Sequence, residues 1–156
     1  MITKWGITCW FAISVCNSKS FVCCRAVISL TVYRGSVTPG AANPGVLTVT
    51  GPTSLNPLTT LTVQLNGTDP GTGYSQLAGG GPVDLGGSTL SVALGFQPPV
   101  GSTFEIVTTA DPDGIAGAFN GLPEGAIFTQ GGYQFQITYQ GGDSGTSVVL
   151  TALGPG

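Results

Sequence analysis

The sequence predicts an all-β protein: a short parallel β-helix, or solenoid, with an antiparallel C-terminal cap, the β-sandwich being the alternative. Three observations point there. Glycine is the commonest residue at 26 and proline adds 11, so turn-forming residues recur along the whole chain. The stretches TLTVQL (60–65), TLSVAL (89–94) and YQFQITYQ (133–140) alternate apolar and polar residues, the period-two signature of strands with one buried face. No stretch keeps the helical period of about 3.6 residues, and the glycine and proline spacing leaves little room for helices.

At 156 residues the chain is long enough for one domain with a real core. Only 7% of its residues are charged and 41% are hydrophobic, against roughly 25% charged in an ordinary soluble domain. A solvated disordered chain needs the opposite balance. All four basic residues (Lys4, Lys19, Arg25, Arg34), all four cysteines (Cys9, Cys16, Cys23, Cys24) and both tryptophans (Trp5, Trp10) fall in the first 34 positions, whereas every acidic residue lies at Asp69 or beyond. Two segments are therefore expected: an atypical N-terminal stretch, 1–35, and a single all-β domain, 36–156. The domain has no Lys, Arg or His. That excludes nucleic acid as a partner, since basic side chains neutralise phosphates, and disfavours anionic membrane surfaces.

WGITCWFAISVC (5–16) behind Lys4 has the length of a signal-peptide core, but Lys19 and Arg25 follow it without a small-x-small cleavage site. It reads as a poor export signal or an accidental N-terminus, mobile or weakly packed. A membrane span needs about 20 apolar residues, and Lys19 interrupts the run first. The cysteines form no C-x-x-C pair and the chain has no histidine, so a zinc site is not expected. Whether and how the thiols pair stays open.

Within the domain, strands are expected at 46–50, 60–65, 73–78, 82–85, 89–94, 103–108, 117–120, 126–129, 133–140 and 147–152. GVLTVTG (45–51), TLTVQLNG (60–67) and TLSVALG (89–95) repeat a Leu-x-Val pattern on one face, which suits a solenoid whose coils stack like side chains. In 133–140 the residues Tyr133, Phe135, Ile137 and Tyr139 share one face and Gln134, Gln136, Thr138 and Gln140 the other. FTQGGYQF and TYQGGDSGTSVVLT place glycine-rich turns between strands, the pattern of an antiparallel meander.

GSVTPGAANPGVLTVTG (35–51), LTVQLNGTDPGTGYSQLAGGGPVDLGGSTLSVAL (61–94), GSTFEIV and GAFNGLPEGAIFTQGGYQFQITYQGGDSGTSVVLTAL together resemble the autotransporter-associated β-strand repeat family. The resemblance covers essentially everything after residue 35. It implies a right-handed β-helix or a closely related all-β stack, serving as the C-terminal module of a large bacterial protein that is secreted or displayed on the cell surface. It brings no family active site. Members are usually much longer, so the chain is expected to be part of a larger parent.

GDSG (142–145) is the tetrapeptide around the nucleophile of chymotrypsin-like proteases, but a serine nucleophile needs a base and the chain has no histidine. It reads as a glycine-rich turn. GYSQL (73–77) lacks the last glycine of a nucleophile elbow. Acid–base chemistry in the domain falls to carboxylates, which are densest in ADPDGIAGAFNGLPEG (110–125). Asp111 and Asp113 flank Pro112, and Gly114 permits a tight loop. Carboxylates this close repel unless a proton or cation intervenes, and an all-oxygen set suits a hard cation such as Ca²⁺. As an EF-hand the stretch fails, because Ile115 and Leu122 stand at ligand positions. Asp111 and Asp113 are thus candidate calcium ligands, a solvated turn being the plain alternative. Phe96, Phe104, Phe119, Phe128, Phe135, Tyr133 and Tyr139 read as core rather than as a sugar-stacking platform. Asn66-Gly67-Thr68 matches a glycosylation sequon.

Two function classes follow. One is a non-catalytic module of a bacterial secreted or cell-surface protein, a scaffold or adhesive stalk that self-associates through an uncapped solenoid end. The other is a small calcium-dependent hydrolase of a neutral ester, lactone or glycan, with Asp111, Asp113 and Glu124 as its site.

Overall fold

The computed structural model describes residues 2–4, 7–10, 26–27, 29–32, 35–40 and 44–156. Cys16, Cys23 and Cys24, and with them the expectation about cysteine pairing, lie outside the described residues, as does the middle of the N-terminal stretch, 11–25. The described chain is all-β, with no helix and so none long and apolar enough to cross a membrane.

Strands β1 (Ile2–Lys4) and β2 (Ile7–Trp10) form an antiparallel hairpin. After it, strands arrive in threes: β3 (Ala26–Val27), β4 (Ser29–Val32) and β5 (Gly35–Val37); β6 (Val46–Val49), β7 (Thr53–Ser54) and β8 (Thr59–Leu65); β9 (Gln76–Gly79), β10 (Val83–Asp84) and β11 (Thr89–Leu94). A fourth round supplies β12 (Thr103–Thr109) and β13 (Ile115–Ala116), followed by β14 (Ile127–Gln130), β15 (Tyr133–Gly141) and β16 (Ser147–Pro155).

Corresponding members of successive threes pair in parallel. β3, β6, β9 and β12 form one ladder, aligning Leu47 with Leu77 and Leu77 with Val107. β4, β7, β10 and β13 form a second, aligning Thr53 with Val83 and Val83 with Ile115. β5, β8 and β11 form the third, aligning Val37 with Leu61 and Leu61 with Leu90. Antiparallel strands extend two of them: β2 joins β4, while β16, β15 and β14 continue outward from β12. The result is sheets of six, three and seven strands, none of them closed.

The alternation read from the sequence fixes which face is buried. In β8, Thr59, Leu61, Val63 and Leu65 are buried and the residues between them are half-exposed. In β15, Phe135, Ile137 and Tyr139 are buried while Gln134, Gln136 and Gln140 face solvent. β12 breaks the alternation, since Ile106 and Val107 are both fully buried. A β-bulge there shifts the register against β16 and turns two successive side chains inward. Aromatic rings knit the antiparallel strands to the parallel ladders: Phe104 meets Tyr74 edge-on at 5.4 Å, Phe96 at 6.0 Å and Phe135 at 6.4 Å.

Two expected strands are displaced. The one predicted at 73–78 begins at Gln76, because Tyr74 and Ser75 are recruited into a loop closed by Gly73 and Tyr74 N–H groups on the Asp69 carbonyl. The one predicted at 117–120 lies at Ile115–Ala116, and the residues after it turn, with Leu122 N–H donating to the Phe119 carbonyl at 3.1 Å.

Candidate functional site

The loop between β12 and β13 carries Asp111 and Asp113, and local hydrogen bonds explain its shape. Thr109 Oγ1 donates to the Gly81 carbonyl at 2.6 Å and accepts from Asp111 N–H at 3.1 Å. Asp111 Oδ1 accepts from Asp113 N–H at 2.8 Å, and Gly114 N–H reaches the Asp111 carbonyl at 3.1 Å. This is an aspartate-led turn, in which a short acidic side chain replaces a backbone acceptor two residues on. The Thr146 hydroxyl, donating to the Thr109 carbonyl at 3.2 Å, ties the loop to the connection before β16.

Asp111 and Asp113 line a hollow of about 310 Å³ together with Ser54 of β7 and Asp84 of β10. Asp84 did not stand out in the sequence. It arrives through the second parallel ladder, which sets Asp84 between Ser54 and Ala116; aligning the short strands was the signal that would have found it. Its Oδ1 also caps a turn, accepting from Gly86 N–H at 2.9 Å. Glu124 is not brought to this hollow. It lines another one with Gln136, Thr138 and Thr151, where its carboxylate accepts from the Thr138 hydroxyl at 2.5 Å and from Tyr139 N–H at 2.7 Å.

Ca²⁺ takes about six to eight oxygen ligands. Among the described residues no three acidic, histidine or cysteine side chains converge as a metal cage, and Asp111 and Asp84 each already spend a carboxylate oxygen on a backbone N–H.

The two serine motifs resolve plainly. GDSG forms the connection between β15 and β16, with Gly142 and Gly145 at φ of +75° and +70° and Ser144 Oγ at 2.6 Å from Thr146 Oγ1. Ser75 of GYSQL is fully buried. Its hydroxyl donates to the Pro39 carbonyl at 2.9 Å and accepts from Gln64 N–H at 3.1 Å, linking three rounds of chain.

Two tyrosines that sequence reasoning assigned only to strands act as hydrogen-bonding centres. Tyr139 OH donates to the Leu122 carbonyl at 2.5 Å and accepts from Phe119 N–H at 3.0 Å, clasping both ends of the 119–122 turn. Tyr74 OH accepts from Glu105 N–H at 3.4 Å. Burial pushes both hydroxyls above their ordinary pKa; the N–H donors oppose it, and the nearby Glu105 and Asp69 for Tyr74, and Glu124 for Tyr139, reinforce it.

Set against known proteins, the chain matches no family model, no curated protein and no solved structure.

Proposed function

We propose that the protein is a non-catalytic structural module of a bacterial secreted or cell-surface protein, built as a short right-handed β-solenoid with an antiparallel C-terminal cap. One observation carries this reading: strands recur in threes, and each member pairs in parallel with its counterpart in the next round. A β-sandwich is built from antiparallel hairpins and Greek keys, whereas wholly parallel ladders joined by short strand-bearing turns suit a stacked coil. Parallel crossovers are right-handed in almost all sheets, which agrees with the handedness that the family resemblance implies. Two of the carboxylates considered for chemistry accept main-chain hydrogen bonds, Asp111 from Asp113 N–H within its turn and Glu124 from Tyr139 N–H of β15.

A second reading, a small metal-dependent hydrolase at Asp111 and Asp113, has one observation in its favour, the presence of Asp84 in the same hollow. One experiment separates the two. Purified protein is offered a panel of esters, lactones and glycosides with Ca²⁺ and with EDTA, beside an Asp111→Asn/Asp113→Asn variant. The structural module turns over nothing in any arm. Turnover abolished by both EDTA and the variant would replace it with the hydrolase.

A further inference from the structure

An asparagine followed by glycine is open to attack by its own backbone, because glycine has no Cβ to shield the nitrogen that follows the side-chain amide. The chain contains two such pairs, Asn66-Gly67 and Asn120-Gly121, and the fold treats them differently. Asn66 packs its amide over Gly95, so closely that a Cβ there would lie 2.1 Å from Asn66 Oδ1. Gly67 is hemmed in by Gly73, whose Cα would stand 3.1 Å from a Cβ on Gly67. Both asparagines are exposed, but Gly67 is half-buried, whereas Gly121 is exposed and, at φ of +74°, has open space where a Cβ would be. The ends of that turn are clasped by Tyr139, so its middle is held outward toward water.

We propose that Asn120 is a site of spontaneous deamidation, and that the fold directs this modification to Asn120 while withholding it from Asn66. Water takes the proton from Gly121 nitrogen, which forms a bond to Asn120 Cγ as the side-chain nitrogen leaves as ammonia. The five-membered succinimide then adds water at either carbonyl, giving aspartate or isoaspartate. The net change is amide plus water to acid plus ammonia, with no oxidant or enzyme. Isoaspartate inserts a methylene into the main chain between two anchored points: Asn120 N–H donates to the Ser88 carbonyl at 2.7 Å, and Leu122 N–H to the Phe119 carbonyl. The product therefore loosens the turn that seats the buried Phe119.

The test holds the full chain at mildly alkaline pH, folded or in urea, and reads chymotryptic peptides by mass and by enzymatic methylation of isoaspartate. Trypsin is unsuitable because residues 35–156 contain no Lys or Arg. In the folded protein the Asn120 peptide converts and the Asn66 peptide lags it by about tenfold or more, since the Asn66 amide packed against Gly95 and the Gly67 nitrogen beside Gly73 come into line only when that loop opens locally. In urea the two convert alike. An amide at Asn120 that survives in the folded protein while converting in urea overturns the proposal, as does equal conversion of both sites in the folded protein. Anion exchange then isolates the modified fraction, which melts below fresh protein and below an Asn120→Asp variant that carries the charge without the added methylene. A modified fraction that melts with the fresh protein overturns the loosening of the turn.

Discussion

Tyr139 concentrates several consequences in one side chain. Its phenol is buried, donates to one end of the 119–122 turn and receives an N–H from the other. Tyr139→Phe removes both bonds and strands a buried N–H and a half-buried carbonyl, a change expected to lower the unfolding free energy by about 1–3 kcal/mol in urea titrations. The pH dependence has a definite sign. The folded-state pKa lies above that of an ordinary tyrosine, chiefly because burial disfavours the phenolate. Stability from this group is therefore intact below the unfolded pKa and is lost as pH rises through the raised one. Melting temperatures of the variant are expected to fall less steeply above pH 10.0 than those of the parent, with Tyr74 supplying the remaining slope. An identical slope would assign the alkaline loss elsewhere. The sequence showed that Tyr139 faces inward but not what its hydroxyl meets, because both partners are backbone groups of a turn whose position periodicity does not encode.

At the scale of elements, legibility followed strand length. TLTVQL, TLSVAL and YQFQITYQ span enough alternations to declare a buried face, and β8, β11 and β15 lie where the pattern put them. β7 and β13 have two residues each, too few for any period, and are strands only because neighbouring rounds hydrogen-bond to them. The Asp111-Pro112-Asp113-Gly114 turn was legible from residue types, whereas Asp84's place beside it depends on a ladder register that uneven spacing concealed. Tight stacking of rounds is a property of elements as well. Gly86, between β10 and β11, has φ of +55°, and a Cβ there would lie 2.1 Å from the Leu55 carbonyl oxygen in the round below. Gly101 has φ of +88° and nothing within 4 Å. Gly101→Ala is expected to cost about 1–2 kcal/mol from backbone strain alone, and Gly86→Ala clearly more, measured by urea unfolding. Equal losses would mean that close approach between rounds does not hold the turn.

For the whole molecule the two ends of the parallel ladders differ. At one end β14, β15 and β16 lie antiparallel beyond β12, burying Phe135, Ile137, Val148, Leu150 and Ala152 against its core. At the other, β3 and β5 are the outermost described strands of their sheets. At the capped end β13 and β11 are the outermost described strands of the other two sheets, so the cap continues the β12 ladder alone. An unpaired strand edge is a template for another chain, and for the proposed solenoid we expect self-association at the end that carries β3 and β5. The charge on residues 35–156 is wholly negative, which opposes association at low salt and yields as salt screens it. Deleting residues 126–156 bares the β12 edge together with Phe104, Ile106 and Val107, fully buried in the intact chain. Light scattering across a range of concentrations and salt should find the truncated chain, with the β12 edge bared, forming larger species than the full chain at every condition. A truncated chain that associates no more than the full chain would deny the cap its role in covering the β12 edge.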